Sequence, residues 1–425
     1  MLPNATFPTV AERTCNAGKA GEVLAVDIAG AKAIAAAIPV TGTETLPLIE
    51  SLGRICANAV ASSIDLPPFD NSAMDGYALR LGELAGKGPW QLPVAARIAA
   101  GQIAGSSYPA GCTVRIFTGA PLPAGFDAVV MQENCERFGA MVRLSQKPPA
   151  GQNVRIAGED VANGATVAAP GTLLTPERIA LLAATGTASV AVLRKVRIGL
   201  VSTGSELVEP GGLLSAGQIY NSNRFFLRAA LDRPWIEPVD FGIVADDPEA
   251  IRTMVSEAAR RCDVVITTGG VSAGEEDHMM DVLKRENAEL EVLKVAMRPG
   301  KPVTVGRIGS ALFFGLPGNP YATAATFARI ALPAIKRTAG FQKLSASWMP
   351  AVSGFTYRRK QGRTEYVPVT WSRLDADGLP IVEMLGRGSS ASLSPLAMAR
   401  ATAVLPPDMP AILPGMRLRI EPLCD

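Results

Sequence analysis

Between residues 196 and 335, apolar β-branched runs alternate with helical patterns, and each run ends in small or acidic residues. The runs are KVRIGLVS (195–202), EPVDFGIV (237–244), CDVVITT (262–268) and ALFFGL (311–316). Helical patterns open near Asn221, at Asp247-Pro248-Glu249, around DVLKRE and over 320–337, with LKVAM and PVTVG as further strand-like segments. Strands alternating with helices predict a doubly wound, mostly parallel sheet. In such a sheet ligands bind outside the carboxyl ends of the strands. Four loops therefore converge on one edge: Ser202–Glu206, Ala245–Asp247, Gly269–Asp277 and Pro317–Pro320. Their small residues let backbone N–H groups approach a ligand, and helix N-termini there favour anions such as phosphate.

The rest of the chain has a different texture. At 425 residues it is too long for one core and predicts two to four domains. Residues 17–61 read as helical, broken at Pro39–Gly42. Residues 64–158 are rich in Gly and Pro, with short strands such as TVRIF, DAVVMQ and MVRLS, and read as an all-β module. Helix returns over 172–194, with Thr175-Pro176-Glu177 as its start signal. After 345, TEYVPVTW and RLRIEPL mark a small β domain. The expected division is 1–62 with 159–195 as a helical linker domain, 63–158 as an inserted β module, 196–345 as the α/β domain and 346–425 as the C-terminal β domain.

Charge narrows the chemistry. Forty-one basic residues against 39 acidic ones leave a net +2 with no basic run, which gives no reason to expect nucleic acid. No apolar stretch approaches the roughly 20 residues that span a bilayer, and the first ten residues lack the pattern of a secretion signal. A cytoplasmic protein is expected, its six scattered cysteines reduced and none at zinc-binding spacing. His278 is the only histidine, and the P-loop pattern is absent.

Each loop also has a plain structural reading. Asp246 and Asp247 precede a proline and suit N-capping. Glu275, Glu276 and Asp277 could complement a helix dipole. PGNP could be only a strand-to-helix turn, and RPGKP (298–302) only a surface turn. Convergence on one edge favours a site. An acid-rich edge facing a phosphate costs roughly 4 kcal/mol per pair of unit charges at about 4 Å and an effective dielectric near 20. A hard divalent cation such as Mg²⁺ is the natural counter-ion. The residues alone lead to a phosphate-bearing ligand held with the help of acids.

PPFDNSAMDGYA, RIFTGAPLPAGFDAVVMQE, GED, LVSTGSEL, GQIYNSN, DVVITTGGVSAGEED, RPGKP and FFGLPGNP occur in an order that resembles the molybdopterin molybdenumtransferases, relatives of the gephyrin E domain. The resemblance covers nearly the whole chain. It implies an elongated homodimer with a molybdopterin-binding α/β domain. It further implies insertion of molybdate into adenylylated molybdopterin, with release of AMP and assistance by Mg²⁺. Asp75, Thr118, Asp160, Glu206, Asp246 and Asp277 match catalytic positions, with Asp246 and Asp277 as metal ligands. The first three would act on the partner subunit's sheet edge. Gly269, Gly270, Ser272 and Gly274, with Pro317, Gly318 and Asn319, would cradle pterin phosphate or nucleotide. Lys294, Arg298, Lys301, Arg363 and Ser389 resemble basic and molybdate-holding positions. Handover to proteins that mature molybdoenzymes follows as a partner expectation. This sequence departs from common family choices at Ser205, where Asp is frequent, at Tyr321-Ala322, at Arg298 and at His278. A non-enzymatic scaffold and a different phosphoanhydride hydrolase are the alternative readings.

Overall fold

The computed structural model describes residues 23–269, 279, 282 and 288–423. The chain forms two compact units, Thr43–Val192 and Met1–Gly42 with Leu193–Asp425.

The larger unit is built on a seven-stranded sheet. Its order is Val23–Leu24, Glu289–Val295, Val303–Ile308, Ala311–Leu316, Val264–Thr268, Val196–Thr203, Ile236–Val244. The last four pair parallel, and only Val303–Ile308 runs against its neighbours. The sheet is thus mostly parallel, as expected. The central strands are buried along their whole length, which is why they read as continuous apolar runs rather than alternating ones. Helix Pro248–Arg261 packs Ile251, Val255 and Ala258 against Val201, Val265 and Phe313. Its start follows the sequence signal: Pro248 sits in the first turn and the Asp247 side chain accepts from Ala250 N–H at 2.8 Å.

The same chain stretch carries a small barrel. Strands Thr364–Leu374, Pro380–Met384, Met349–Ser353, Arg417–Pro422 and Ala401–Leu405 close on themselves through the pairing of the first with the last. Closure removes sheet edges and buries Val367, Val369, Ala403 and Ile420. Met297–Arg298 adds to the barrel, parallel to Thr364–Glu365. The RPGKP segment therefore ties the sheet to the barrel.

The smaller unit holds a six-stranded sheet of order Ala128–Met131, Gly76–Leu79, Thr113–Ile116, Trp90–Ile98, Met141–Leu144, Cys135–Phe138. It has a core on each face, one around Tyr77, Leu79 and Val142 and one around Ala78, Val114 and Ile116. Gly76 sits so close to the neighbouring strand that a Cβ there would lie 2.0 Å from the Val130 carbonyl oxygen.

Two helical expectations change. Of 17–61, the described part is helical only at Val26–Ala36. Thr43–Pro47 is a strand paired with Ser189–Leu193, Leu48–Ser51 is a single 3₁₀ turn, and Val60–Ala61 pairs with Thr166–Ala168. Pro47 and Gly53, at φ 71°, interrupt the chain too often for a helix to nucleate and extend. In 172–194 the helix covers Pro176–Ala184 and stops before Gly186, at φ 84°. The β-branched SVAVL that follows is the strand.

Candidate active site

The sheet topology sets which loops meet. Strands Val196–Thr203, Ile236–Val244, Val264–Thr268 and Ala311–Leu316 are mutually parallel, so the four loops leaving them lie on one edge. Glu289–Val295 runs the same way, because two antiparallel pairings separate it from Ala311–Leu316. Its carboxyl end therefore delivers Lys294, Arg298 and Lys301 to that edge as well. Sequence alone had no route to this placement, since it depends on the direction of two strands. Gly270, Ser272, Gly274 and Asp277, together with Glu275, Glu276 and His278, lie outside the described residues.

Close contacts stitch the loops together. Gly269, at φ 87°, comes so near the first strand that a Cβ would stand 2.4 Å from the Thr203 carbonyl oxygen. Only glycine fits that approach. Asp246 and Asp247 divide two roles that sequence could not separate. Asp247 caps its helix, whereas Asp246 Oδ2 accepts from Ser205 N–H at 3.1 Å and Ser205 Oγ at 3.3 Å. Ser205, the departure from the common Asp, thus orients the neighbouring acid. Asp246 Oδ1 has no hydrogen-bond partner among the described residues, and Glu206, which follows Ser205, is exposed. Hard carboxylate oxygens, one of them anchored, suit a divalent cation of the Mg²⁺ type. Among the described residues no group of three or more His, Cys, Asp or Glu side chains is gathered as a metal cluster.

The Pro317–Asn319 loop is engaged with the barrel rather than open to a ligand. Ser390 O accepts from Tyr321 N–H at 3.0 Å and Ala322 N–H at 3.3 Å, and Asn319 Nδ2 donates to Ser390 Oγ at 3.2 Å. First-turn donors expected to attract an anion are thus spent on a protein carbonyl. Gly318 O accepts from Asn223 Nδ2 at 2.7 Å. Asn223 and Ser390 escaped the sequence reading, although Asn223 sits within GQIYNSN and Ser390 follows Ser389.

The basic residues also separate. Lys294 and Lys301 are exposed. Arg298 lies 3.4 Å from Glu365, a carboxylate that also meets Arg359 at 3.3 Å and accepts from Tyr357 Oη at 3.0 Å. Part of the Arg298 charge is therefore balanced by the protein. Arg363 is exposed at the start of the strand that pairs with Met297–Arg298, and Ser389 is exposed in the loop that reaches Asn319.

In the smaller unit, Asp75 and Thr118 meet directly. Asp75 Oδ1 accepts from Thr118 N–H at 2.8 Å and Thr118 Oγ1 at 2.7 Å. These bonds hold the Asp75 carboxyl below its ordinary pKa; the charge of Arg115 adds a smaller pull. Asp75 is thus a carboxylate oriented by a loop 43 residues away, more than a turn residue. Asp160 stands further along the same ladder of loops. Its N–H bonds Leu66 O at 3.0 Å, and its exposed side chain does not join the Asp75–Thr118 pair.

A doubly wound sheet with acids, close-approach glycines and cations on its carboxyl edge, in a chain that also carries β domains, defines a multidomain α/β protein. Known families make this specific. Residues 24–186 match the MoeA N-terminal region (domain I and II), 199–337 a probable molybdopterin binding domain, and 350–423 the MoeA C-terminal region (domain IV). The molybdopterin molybdenumtransferase of Haemophilus influenzae is 36% identical over 90% of this chain and 94% of its own, and that of Nostoc sp. 38% identical over 86% and 85%. The crystal structure of the molybdopterin biosynthesis MoeA protein from Pyrococcus horikoshii superposes with a TM-score of 0.81 at 27% identity, covering 94% of this chain and 100% of that one. The chain belongs to the molybdopterin molybdenumtransferases, a family of enzymes.

Proposed function

We propose that this enzyme inserts molybdenum from molybdate into adenylylated molybdopterin, with cleavage of the adenylate to give AMP and the molybdenum cofactor. The observation that carries the reading is the meeting of Asp246, Glu206, Gly269 and the RPGKP cations on one sheet edge, in a chain whose relatives are named for molybdenum transfer to molybdopterin. Asp246, turned by Ser205, offers a carboxylate oxygen outward, and with Asp277 it would hold Mg²⁺. The ion, when bound, screens carboxylate–phosphate repulsion and polarises the phosphoanhydride oxygens. Gly269 and the loop through Gly270, Ser272 and Gly274 keep backbone near the phosphate. Lys294, Lys301, Arg363 and Ser389 gather the molybdate oxyanion, with Arg298 contributing the part of its charge that Glu365 leaves. Asp75, Thr118 and Asp160 orient the reacting end from the partner subunit of a homodimer. The reaction belongs in the cytoplasm, and its product passes to proteins that mature molybdoenzymes.

The test is AMP release from adenylylated molybdopterin with Mg²⁺ and with EDTA, each with and without molybdate. Molybdate-dependent AMP formation that EDTA abolishes is expected. AMP release indifferent to molybdate, accompanied by cleavage of unrelated dinucleotides, would instead mark a general phosphoanhydride hydrolase.

A further inference from the structure

The six-stranded sheet of the smaller unit carries two arginines that the proposed chemistry leaves without a task. Arg97 and Arg115 are register partners on adjacent parallel strands. Arg115 is also the register partner of Tyr77 on its other side. Val114 and Ile116 turn into the core of one face, so Arg115 and Phe117 turn to the other. There two guanidinium groups contact the Phe117 ring, Arg97 at 4.4 Å and Arg115 at 4.9 Å from its centroid. Arg115 also stands 5.0 Å from the Tyr77 ring.

Like charges directly opposite on neighbouring strands oppose folding. The surroundings relieve this for one arginine only. Arg115 donates to Gly76 O at 3.3 Å and to the Gln132 side-chain oxygen, and Asp75 and Glu133 lie within its field. Gln132 in turn donates to Glu133 at 3.0 Å and, from its backbone N–H, to Asp75 O at 3.1 Å. Arg97 is exposed, and its side chain has neither a hydrogen bond nor an ion pair with any described residue. Its donor fork rests over the Phe117 ring and meets no acceptor among the described residues. The pair lies close along the chain to Asp75 and Thr118, since Phe117 precedes Thr118 and Tyr77 follows Gly76. A forked cation resting against a ring, beside a second one, matches a phosphate or diphosphate group.

We propose that Arg97, supported by Arg115 across Phe117, binds the diphosphate of a nucleotide-bearing substrate on the β module. The identity of that substrate as adenylylated molybdopterin rests on the function proposed above; the anion site does not.

Isothermal titration of full-length protein with ADP tests it, ADP serving as the diphosphate probe. Arg97→Gln is the decisive variant, because its guanidinium makes no hydrogen bond or ion pair with any described residue. Affinity is expected to fall about tenfold or more, the scale of one charge-assisted hydrogen bond. Arg97→Lys should recover part of the loss. Arg137→Gln, which removes an exposed arginine from the far edge strand Cys135–Phe138, should bind as wild type. Wild-type affinity in Arg97→Gln, an equal loss in Arg137→Gln, or no ADP binding by wild type would each overturn the proposal. If ADP affinity falls as expected but molybdate-dependent AMP release is absent, the anion site stands and the proposed reaction falls. If molybdate-dependent AMP release is present and indifferent to Arg97→Gln, the reaction stands and the site falls.

Discussion

Among the described residues, Asp75 takes both of its side-chain hydrogen bonds from Thr118, so a single substitution can report on its state. Thr118→Val removes the hydroxyl donor and keeps the backbone N–H. The carboxylate loses part of its stabilisation, and its pKa should rise toward the ordinary value, read by carboxyl-carbon NMR titration. The linkage has a definite sign. A folded pKa below the unfolded one stabilises the fold above the unfolded pKa, and the gain is lost as pH falls through the folded value. Thr118→Val should therefore weaken the acid-side dependence of stability. An unchanged Asp75 pKa in the variant would show that the backbone bond alone sets it. At the same scale lies the division between Asp246 and Asp247. Two adjacent acids before a proline look alike as residues. Which one caps the helix and which one turns to Ser205 depends on a strand 41 residues earlier, and no local pattern carries that.

Elements bring a second kind of dependence. Asp263, at the entry to Val264–Thr268, accepts from Arg194 at 2.7 and 2.8 Å and from Arg197 N–H at 2.9 Å. Burial pushes its carboxyl up, yet these donors outweigh burial and the pKa is lowered. Asp263→Ala would leave the Arg194 fork half-buried without its acid. A loss of about 1.5–3 kcal/mol in urea denaturation is expected, with sheet-edge ligand binding little changed. Gly76→Ala is a harsher test. The added methyl meets a carbonyl across the strand pair, which cannot yield without parting Gly76–Leu79 from Ala128–Met131, and roughly 1–3 kcal/mol should be lost. Wild-type denaturation midpoints in either variant would contradict the packing described. Strands buried on both faces announce themselves as apolar runs, so Val264–Thr268 and Ala311–Leu316 were legible within two residues. The stretch 43–61 was not, because apolar residues at near-helical spacing there are cut by Pro47 and Gly53 into pieces that find partners more than 100 residues away.

For the whole molecule, the sequence order of strands and helices was enough to place four loops on one sheet edge. It was not enough to show that the Pro317–Asn319 loop is closed by Ser390 of the barrel, or that RPGKP joins sheet to barrel. Those contacts depend on how the barrel packs on the α/β sheet. The reaction proposed asks for more: Asp75 from one copy of the chain must serve the edge that bears Asp246 in another. Asp75→Asn and Asp246→Asn should each be nearly inactive as separate proteins. In the proposed homodimer, co-expression would give mixed dimers in which one of the two sites regains both acids, so about a quarter of wild-type molybdenum-cofactor formation should return for random pairing. A co-expressed mixture no more active than either variant alone would contradict a site shared between copies.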